Sequence, residues 1–579
     1  MRETAVRLGP LAGERERWLT TLPFVFFAVL TAISWNRWIL PFQDSGREVI
    51  TADRILRGEA LYRDVVSRYG PLPPHLDALA LACSGRQLFS LVALRLAFAL
   101  LGIEALRRLA SRLAPGASTP AAIVSLVVAA CAFLPFGGAW PFPYSVAALE
   151  GTVGIWIAME LSLSSSGPRR TLAAGIVSGL AAGTKLEMVI PALLAPALAL
   201  LWRRPRREAL AGIGLAATLG ALAWGGPVVW LGADVMWRNG FLLGGAVPAP
   251  WRHLYSDVFS GGLSIAQLLS GAALVRYLPS AGLLLGFVLV ARKLSAARWQ
   301  ALALFTAGFL ALAFPENGGL HVLIPLAGLL ALWQAVGLVR DRALCRPGER
   351  TVTMLCIGVA MLPALARQPF FLTTEVPYSA LSGPLALVFS LSWLAARFPG
   401  SGRTAAFVLG LATAQLVERA VDYRAAPRTT VAFERATLCL LDQEAILLSE
   451  LVSRLRQETP PGSYVAGFPD AGLVLFLADR RSPFADDQFH PGSQDIEAER
   501  EMIRGLDRHP PAAGFFLNRA HPEYGLGVFG IDYGLTFMEK FRKRMAPPVI
   551  VGHFALDPPR GLRASTALYF LPRPATGPP

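Results

Sequence analysis

The sequence predicts a polytopic α-helical membrane protein that ends in a soluble α/β domain, and three observations predict it. Of the 579 residues, 54% are hydrophobic and only 16% are charged, whereas soluble domains carry about 25% charged residues. Residues 1–417 consist of long apolar runs separated by short arginine-rich loops. The composition changes near residue 418, where turn clusters such as Pro460-Pro461-Gly462 separate short mixed segments. We therefore predict a membrane domain over 1–417 and an α/β domain over 418–579.

The apolar runs predict thirteen membrane spans, because a span needs about 20 apolar residues. Two of the spans are short helices between 172 and 202 that meet near Lys185. The others are expected at roughly 20–41, 88–106, 119–137, 145–163, 209–231, 277–291, 299–315, 320–339, 351–366, 378–396 and 404–417.

Arginine sets the predicted orientation, since basic residues concentrate in cytoplasmic loops. Alternate loops are rich in arginine, as in the loop 203–207, whereas the loops opposite hold only Lys185 and Arg367. Those opposite loops are 138–144, 184–187, 316–319 and 367–377. We therefore expect a cytoplasmic N-terminus in a bacterial inner membrane. The first outer loop (42–87) and the C-terminal tail (418–579) are expected outside.

The remaining composition excludes several classes of protein. The net charge of +14 does not indicate nucleic-acid binding, because the arginines lie in short loops where they orient the chain. The five cysteines have neither disulfide-framework nor zinc-site spacing. The first apolar run follows a basic stretch and lacks a small-residue cleavage site, so we interpret it as a retained span.

Short apolar segments bounded by turn residues predict strands in the tail, and longer mixed segments predict helices. We interpret Asp486-Asp487 as a solvated turn. The predicted helices are 444–457 and 494–508. The predicted strands are 463–468, 473–477, 513–517 and 567–571.

The first outer loop is crowded with charge from Asp44 onwards. Apolar residues at Val49, Ile50 and Ile55 predict an amphipathic helix along the membrane surface, closed by Gly58. The plainer interpretation is an interfacial loop whose charges only face water.

The order of motifs in this loop resembles the first periplasmic loop of the GT-C glycosyltransferase superfamily. In that pattern an aspartate after the first span leads into G-E-x-x-Y-R-D and Y-G-P-L-x-P. The matching residues here are Asp44, Gly58-Glu59, Tyr62-Arg63-Asp64, Tyr69-Gly70-Pro71-Leu72 and Pro74. Further similar segments are Gly179 to Lys185, 314–326 and 467–492. Thirteen spans with an outside C-terminal domain also resemble the lipid A aminoarabinose transferases, and protein O-mannosyltransferase-like enzymes are similar.

The resemblance implies an inverting transfer of a sugar from a polyprenyl-phosphate donor to a lipid, glycan or protein acceptor. Such a transfer needs a carboxylate that takes the acceptor proton and cations that stabilise the departing phosphate. Asp44 is the candidate base, although an aspartate before a helix also suits an N-cap. Glu150 and Glu316 are candidate second carboxylates.

Lys185 is the first candidate for the donor phosphate, because a charge between two apolar helices is costly unless it faces a cavity or a partner. Glu187 is the alternative partner. Arg63, Tyr69 and His321 are further candidates for binding the phosphate or the sugar. No cofactor and no obligatory metal are predicted, although Glu48, one turn beyond Asp44, leaves a divalent cation open.

Three other functions compete with this interpretation. A secondary transporter would suit many spans with a few intramembrane charges, but the internal repeats typical of transporters are not evident. A lipid-linked polysaccharide polymerase or ligase usually has its long outer loop late in the chain. A non-catalytic membrane scaffold of the same fold remains open, and Asp44 and Lys185 argue only mildly against it.

Overall fold

The computed structural model describes residues 10–37, 39, 41–42, 45–67, 69–113, 146–164, 167–201, 205–240, 428–487, 489, 496–518, 520–521, 526–555 and 564–573. The N-terminal part of this set is helical and the C-terminal part is a mixed α/β unit.

Most of the N-terminal helices are apolar, and two helices of 12 residues each lie in the first outer loop. Two of the described helices are long and apolar enough to cross a membrane, at Leu88–Ala105 and Arg206–Leu231. In chain order the helices are α1 (Pro10–Ile33), α2 (Ser45–Leu56), α3 (Leu72–Cys83), α4 (Leu88–Leu113), α5 (Val146–Leu163), α6 (Pro168–Ala182), α7 (Val189–Leu201), α8 (Arg206–Leu231) and α9 (Ala233–Asn239).

Helices occupy every predicted span that falls within the described residues. The pair expected between 172 and 202 is α6 and α7, and they are separated by a short 3-10 turn at Leu186–Met188 that follows Lys185. The first helix ends at Ile33 rather than near 41, and Asn36 has a left-handed backbone (φ 62°) that cannot continue a helix. The predicted spans outside the described residues are 119–137, 277–291, 299–315, 320–339, 351–366, 378–396 and 404–417.

Small residues bring the apolar helices together. A Cβ on Gly175 in α6 would overlap the carbonyl group of Gly212 in α8, and a Cβ on Gly179 would overlap the Leu219 side chain. Such close backbone approach is typical of helix pairs in membranes, where apolar burial alone does not drive association.

The C-terminal part is built around a sheet of four strands in the order β3-β4-β8-β7. Strands β3 and β4 are parallel, whereas β8 is antiparallel to both β4 and β7. The strands are β1 (Arg428–Phe433), β2 (Ala436–Leu441), β3 (Val465–Phe468), β4 (Ala513–Asn518), β5 (Ala520–His521), β6 (Leu526–Val528), β7 (Val549–Ala555) and β8 (Ala564–Phe570). The helices are α10 (Asp442–Glu458), α11 (Gly472–Ala478), α12 (Ile496–Arg508) and α13 (Leu535–Arg544).

Most of the elements predicted in the tail are confirmed, and one is wrong. Strands form at β3, β4 and β8 and helices at α10 and α12, close to the predicted positions. The segment 473–477, predicted as a strand, is the core of helix α11, whose seven residues are all buried. A fully buried apolar run lacks the periodicity that separates a strand from a helix.

Two hydrophobic cores stabilise the C-terminal part. One is aromatic, with Phe468 at its centre and Phe484, Phe489, Phe529 and Phe537 around it. The other contains side chains of α10, α11 and the sheet together with residues of α2, α3 and α4. The tail and the first outer loop therefore share one core. The boundary near residue 418 lies outside the described residues and stays a prediction.

Helix α2 is the amphipathic helix predicted in the first outer loop, and Gly58 with φ 91° follows its end. Its apolar residues Val49 and Ile50 are fully buried in the shared core. The expectation that this face lies on the membrane is therefore wrong. An amphipathic pattern shows that a face is covered but does not show what covers it.

A glycine contact between α2 and α11 leads to a testable prediction. A Cβ on Gly472 would lie 2.5 Å from the carbonyl oxygen of Gly46. We expect Gly472→Ala to push the two helices apart and to lower the free energy of unfolding by about 1–3 kcal/mol, the usual cost of overpacking. Thermal unfolding in detergent measures the change. Gly552→Ala is the control, because its Cβ would meet Leu447 Cδ1 at an ordinary 3.5 Å. Equal melting temperatures for the two variants would contradict the prediction.

Candidate functional site

The Y-G-P-L segment and the G-T-K segment, far apart in the sequence, are in direct contact. The Gly70 N–H donates to the Thr184 carbonyl at 2.8 Å, and the Leu72 N–H donates to the Gly183 carbonyl at 3.2 Å. A Cβ on Gly70 would overlap the Gly183 carbonyl group, so only glycine permits this approach. Tyr69 directly precedes Gly70, and Lys185 directly follows Thr184. The contact therefore brings Tyr69 and Lys185 beside one another.

Tyr69 contacts two cationic side chains. Arg47 donates from Nη2 to the Tyr69 hydroxyl at 2.9 Å, and its guanidinium carbon lies 5.1 Å from the ring centroid. Lys185 Nζ lies 5.4 Å from the same centroid. Both distances fall within the range of about 6 Å over which a ring attracts a cation. All three residues are buried. We call Arg47, Tyr69 and Lys185 the cationic cluster, and its charge suits an anionic group.

The loop that carries Tyr69 is held from several sides. The Tyr62 hydroxyl donates to the Tyr69 carbonyl at 2.7 Å, and Ser67 Oγ accepts from the Tyr69 N–H at 3.3 Å. Tyr62 itself has φ 69°, which is rare for a bulky residue. Asn239 of α9 donates to the Tyr62 carbonyl at 2.7 Å. The surrounding contacts therefore hold a strained residue, as is common near functional sites.

Lys185 lies where the sequence predicted it, between two short apolar helices. Its backbone is extended (φ −159°, ψ 148°) and it precedes the 3-10 turn. The break in the helix turns the lysine side chain towards Tyr69, which explains why a charge is tolerated between apolar segments. The side chain of Glu187 lies outside the described residues, so the predicted pair with Lys185 stays a prediction.

A small pocket adjoins the cationic cluster and is lined by Arg47, Tyr69, Glu48 and Asp77 among others. Glu48 accepts from the N–H of Val146, at the start of α5, at 3.2 Å. Burial raises the pKa of Glu48 to about 7; Arg95 and Arg47 oppose the rise and Asp77 adds to it. The pocket therefore combines one cation, Arg47, with a carboxyl group whose pKa burial raises into the neutral range.

Behind the pocket, Arg95 of α4 joins two buried carboxylates. Its Nη2 donates to Asp77 of α3 at 2.5 Å and its Nη1 donates to Glu150 of α5 at 2.9 Å. Arg95 has no exposed surface, and Asp77 and Glu150 are nearly as buried. Glu150, predicted as a second carboxylate, therefore engages a cation that ties three helices together.

Arg63, a further candidate for binding the phosphate or the sugar, contacts residues outside the cationic cluster. The side chain of Arg63 is 57% exposed, donates to Asp64 at 2.8 Å and lies 6.0 Å from the Trp230 ring. Three further predicted site residues lie outside the described residues, namely Asp44, Glu316 and His321.

The sequence interpretation missed four residues of this region: Arg47, Asp77, Arg95 and, as a pocket carboxyl, Glu48. Arg95 carried a readable signal, since it lies inside the apolar run 88–106 and an ionisable residue within a span usually has a partner or a function. The other three are charged residues of the outer loop without a distinctive spacing. The prediction that no metal is required stays a prediction, since Asp44 is outside the described residues.

Comparison with known proteins finds structural likeness but no sequence match. No protein-family model matches the chain, and no curated protein sequence matches it. The oligosaccharyltransferase AglB of Archaeoglobus fulgidus, solved with an inhibitory peptide and a dolichol-phosphate, is 10% identical with a TM-score of 0.48, over 95% of this chain and 74% of that one.

Two other solved structures are similar over most of this chain. ArnT of Cupriavidus metallidurans is 13% identical with a TM-score of 0.42, over 96% of this chain and 98% of that one. The mycobacterial arabinofuranosyltransferase AftD is 15% identical with a TM-score of 0.43, over 96% of this chain and 40% of that one. With TM-scores of 0.48 or below, these likenesses carry no argument about the superfamily of this chain, and the GT-C resemblance rests on its sequence motifs. The likeness concerns the chain path and says nothing of reaction or substrate.

The raised pKa of Glu48 predicts how stability depends on pH. The folded chain keeps the Glu48 proton up to about pH 7, whereas the ordinary value for the unfolded chain is 4.5. The stabilisation is therefore complete below pH 4.5 and is lost as the pH rises through about 7. Glu48→Gln lacks this titration, so its melting temperature should fall less than that of the wild type over this range.

Thermal unfolding at several pH values in detergent makes the measurement. Glu444, whose pKa burial also raises to about 7, titrates in both proteins and cancels in the comparison. Glu497→Gln, in an exposed pair of α12, is the control and should follow the wild type. Parallel curves for Glu48→Gln and the wild type would show that Glu48 does not titrate in this range.

Proposed function

We propose that this chain is a membrane glycosyltransferase that moves a sugar from a polyprenyl-phosphate donor to a lipid, glycan or protein acceptor on the extracytoplasmic face. The observation that carries the proposal is the cationic cluster, in which Arg47 and Lys185 converge on Tyr69. Asp44, the candidate base, directly precedes helix α2, and Arg47 lies in the first turn of that helix. Cations for the phosphate and a carboxylate base are the groups that glycosyl transfer from a phosphate requires.

In the proposed reaction the donor phosphate binds Arg47 and Lys185. An arginine fork can hold two phosphate oxygens, whereas a lysine acts as a mobile point charge. As the bond between the anomeric carbon and the phosphate oxygen breaks, negative charge grows on the phosphate. The two cations then interact with it more strongly than with the bound donor, which lowers the barrier.

Asp44 completes the proposed reaction as the general base. The acceptor oxygen or nitrogen forms its bond to the anomeric carbon from the face opposite the phosphate, and its proton passes to the Asp44 carboxylate. The products are the glycosylated acceptor and the polyprenyl phosphate. Glu48 is a nearby carboxyl group that can receive or return a proton near pH 7.

The membrane topology predicted from the sequence favours a reaction on the outer face. Arginine-rich loops alternate with loops poor in basic residues, and this asymmetry favours an external position for the first outer loop, the cationic cluster and the tail. The shared core of α2 and the C-terminal sheet is consistent with both lying on one side of the membrane. We propose that the tail covers the acceptor side of the site.

The proposal predicts different defects for Lys185→Ala and Asp44→Asn. Lys185→Ala should weaken binding of undecaprenyl phosphate by roughly 10- to 100-fold, because a charge-assisted contact is lost. Asp44→Asn should leave that binding nearly unchanged and lower the transfer rate by about 10²–10⁴-fold, as loss of a general base usually does. Binding to the full chain in nanodiscs and transfer from a panel of undecaprenyl-phosphate sugars measure the two effects.

Arg504→Ala removes one exposed cation from α12 and serves as the control for net charge. It should change neither binding nor transfer. If Asp44→Asn kept normal transfer, the base would lie elsewhere. If Lys185→Ala bound undecaprenyl phosphate as the wild type does, the cationic cluster would not be the donor site. Movement of a solute across vesicles by variants that transfer no sugar would favour the transporter instead.

A further inference from the structure

Arg54 of α2 connects three separate parts of the chain. Its Nε donates to Glu59 at 2.7 Å and its Nη2 donates to the Asp64 carbonyl at 2.8 Å, both in the first outer loop. Its Nη1 donates to the Phe484 carbonyl and to the Asp487 carboxylate of the tail, both at 2.8 Å. The Asp487 side chain is 3% exposed, so the expectation of a solvated turn at this residue is wrong.

Arg54 is buried, so its charge has to be paired with acceptors. Burial by itself lowers the pKa of Arg54, but Asp487 and Glu59 outweigh it and the net pKa is raised. The guanidinium therefore stays charged, and it needs its acceptors in place because a buried charge without a partner is strongly unfavourable. Loss of either carboxylate would release the segments that Arg54 holds.

A second contact joins the same two segments. The Val66 N–H donates to the Ala485 carbonyl at 2.8 Å. Val66 lines the pocket beside the cationic cluster, and Tyr69 follows three residues later, within about 10 Å of extended chain. The tail segment 484–487 therefore forms the support behind the pocket wall.

The tail end of this support is itself fixed. The Phe484 ring packs on Phe468 and Phe489, with centroids 5.4 and 5.3 Å away, in the aromatic core. On the other side, a Cβ on Gly505 would lie 2.6 Å from the Pro483 carbonyl oxygen, so α12 approaches the segment closely. A displacement of the tail would therefore be transmitted to Val66 and to the loop that carries Tyr69.

We propose that Arg54 and Asp487 are positioning residues through which the C-terminal α/β part holds the Glu59–Tyr69 loop, and with it Tyr69, in the geometry that binds the donor phosphate. We call the hydrogen bonds from Arg54 to Phe484 and Asp487, together with the Val66–Ala485 hydrogen bond, the latch. The latch is a feature of the fold. Its consequence for donor binding rests on the proposed function.

Asp487→Asn in the full chain in nanodiscs tests the latch, because the amide keeps the shape and loses the charge. Hydrogen exchange of the amide of Val66 should become roughly tenfold faster through local opening. Asp487→Glu keeps the charge and should restore much of the protection. Glu497→Gln removes a carboxylate of the same tail from an exposed pair and should leave the Val66 amide as protected as in the wild type.

Affinity for undecaprenyl phosphate separates positioning from a merely structural role. We expect Asp487→Asn to weaken this affinity at temperatures where circular dichroism shows it fully folded, and Asp487→Glu to recover it. If Asp487→Asn does not fold, Arg54→Lys, which keeps the charge and loses the fork, replaces it in both measurements.

Unchanged exchange of the Val66 amide in a folded variant would overturn the latch. Faster exchange with unchanged affinity for undecaprenyl phosphate would overturn the positioning role. If the wild type itself does not bind undecaprenyl phosphate, the proposed function fails and the positioning of a donor site fails with it. The exchange measurement then still decides whether the latch exists.

Discussion

The candidate site depends on the packing of helix α2 against α3 and against α11 of the C-terminal part. Asp53 of α2 has no exposed surface and accepts from Arg57 at 2.8 Å and from Arg86 at 2.6 Å. Asp479 of the tail accepts from Arg57 and from Arg435, both at 2.6 Å. Burial opposes the ionisation of Asp479, but the arginines outweigh it and lower its pKa to about 2. Asp53 is fully buried, and a buried charge pair tolerates little displacement, so its contacts constrain the rotation of α2.

The orientation of α2 determines what its first turn presents. Asp44 precedes the helix, and Arg47 and Glu48 follow within one turn, where they meet Tyr69 and the start of α5. The same helix later carries Arg54, which holds the tail. One helix thus carries the contact with Tyr69 at its start and the contacts with the tail at its end. This arrangement explains why the tail and the outer loop share a core rather than forming separate units.

The sequence was informative where a charged residue lies between apolar segments, because placing a charge there costs free energy. Lys185 between two apolar runs predicted that its charge faces a cavity or a partner. Its side chain lies against Tyr69, and its role with the donor phosphate stays a prediction. The segment 473–477 was mispredicted, since a run buried on all sides fits either a strand or a helix. Asp487 was misjudged for a different reason. Its partner Arg54 is 433 residues away in the chain, and a contact at that separation leaves no local pattern.

The most direct measurement is a cryo-electron microscopy structure of the full chain in nanodiscs with undecaprenyl phosphate bound. We expect the phosphate to lie within hydrogen-bond distance, about 3 Å, of Lys185 Nζ and the Arg47 guanidinium. We also expect the Tyr69 loop to keep its contact with the tail segment 484–487. A phosphate bound elsewhere, with Arg47 and Lys185 still packed on Tyr69, would contradict the account.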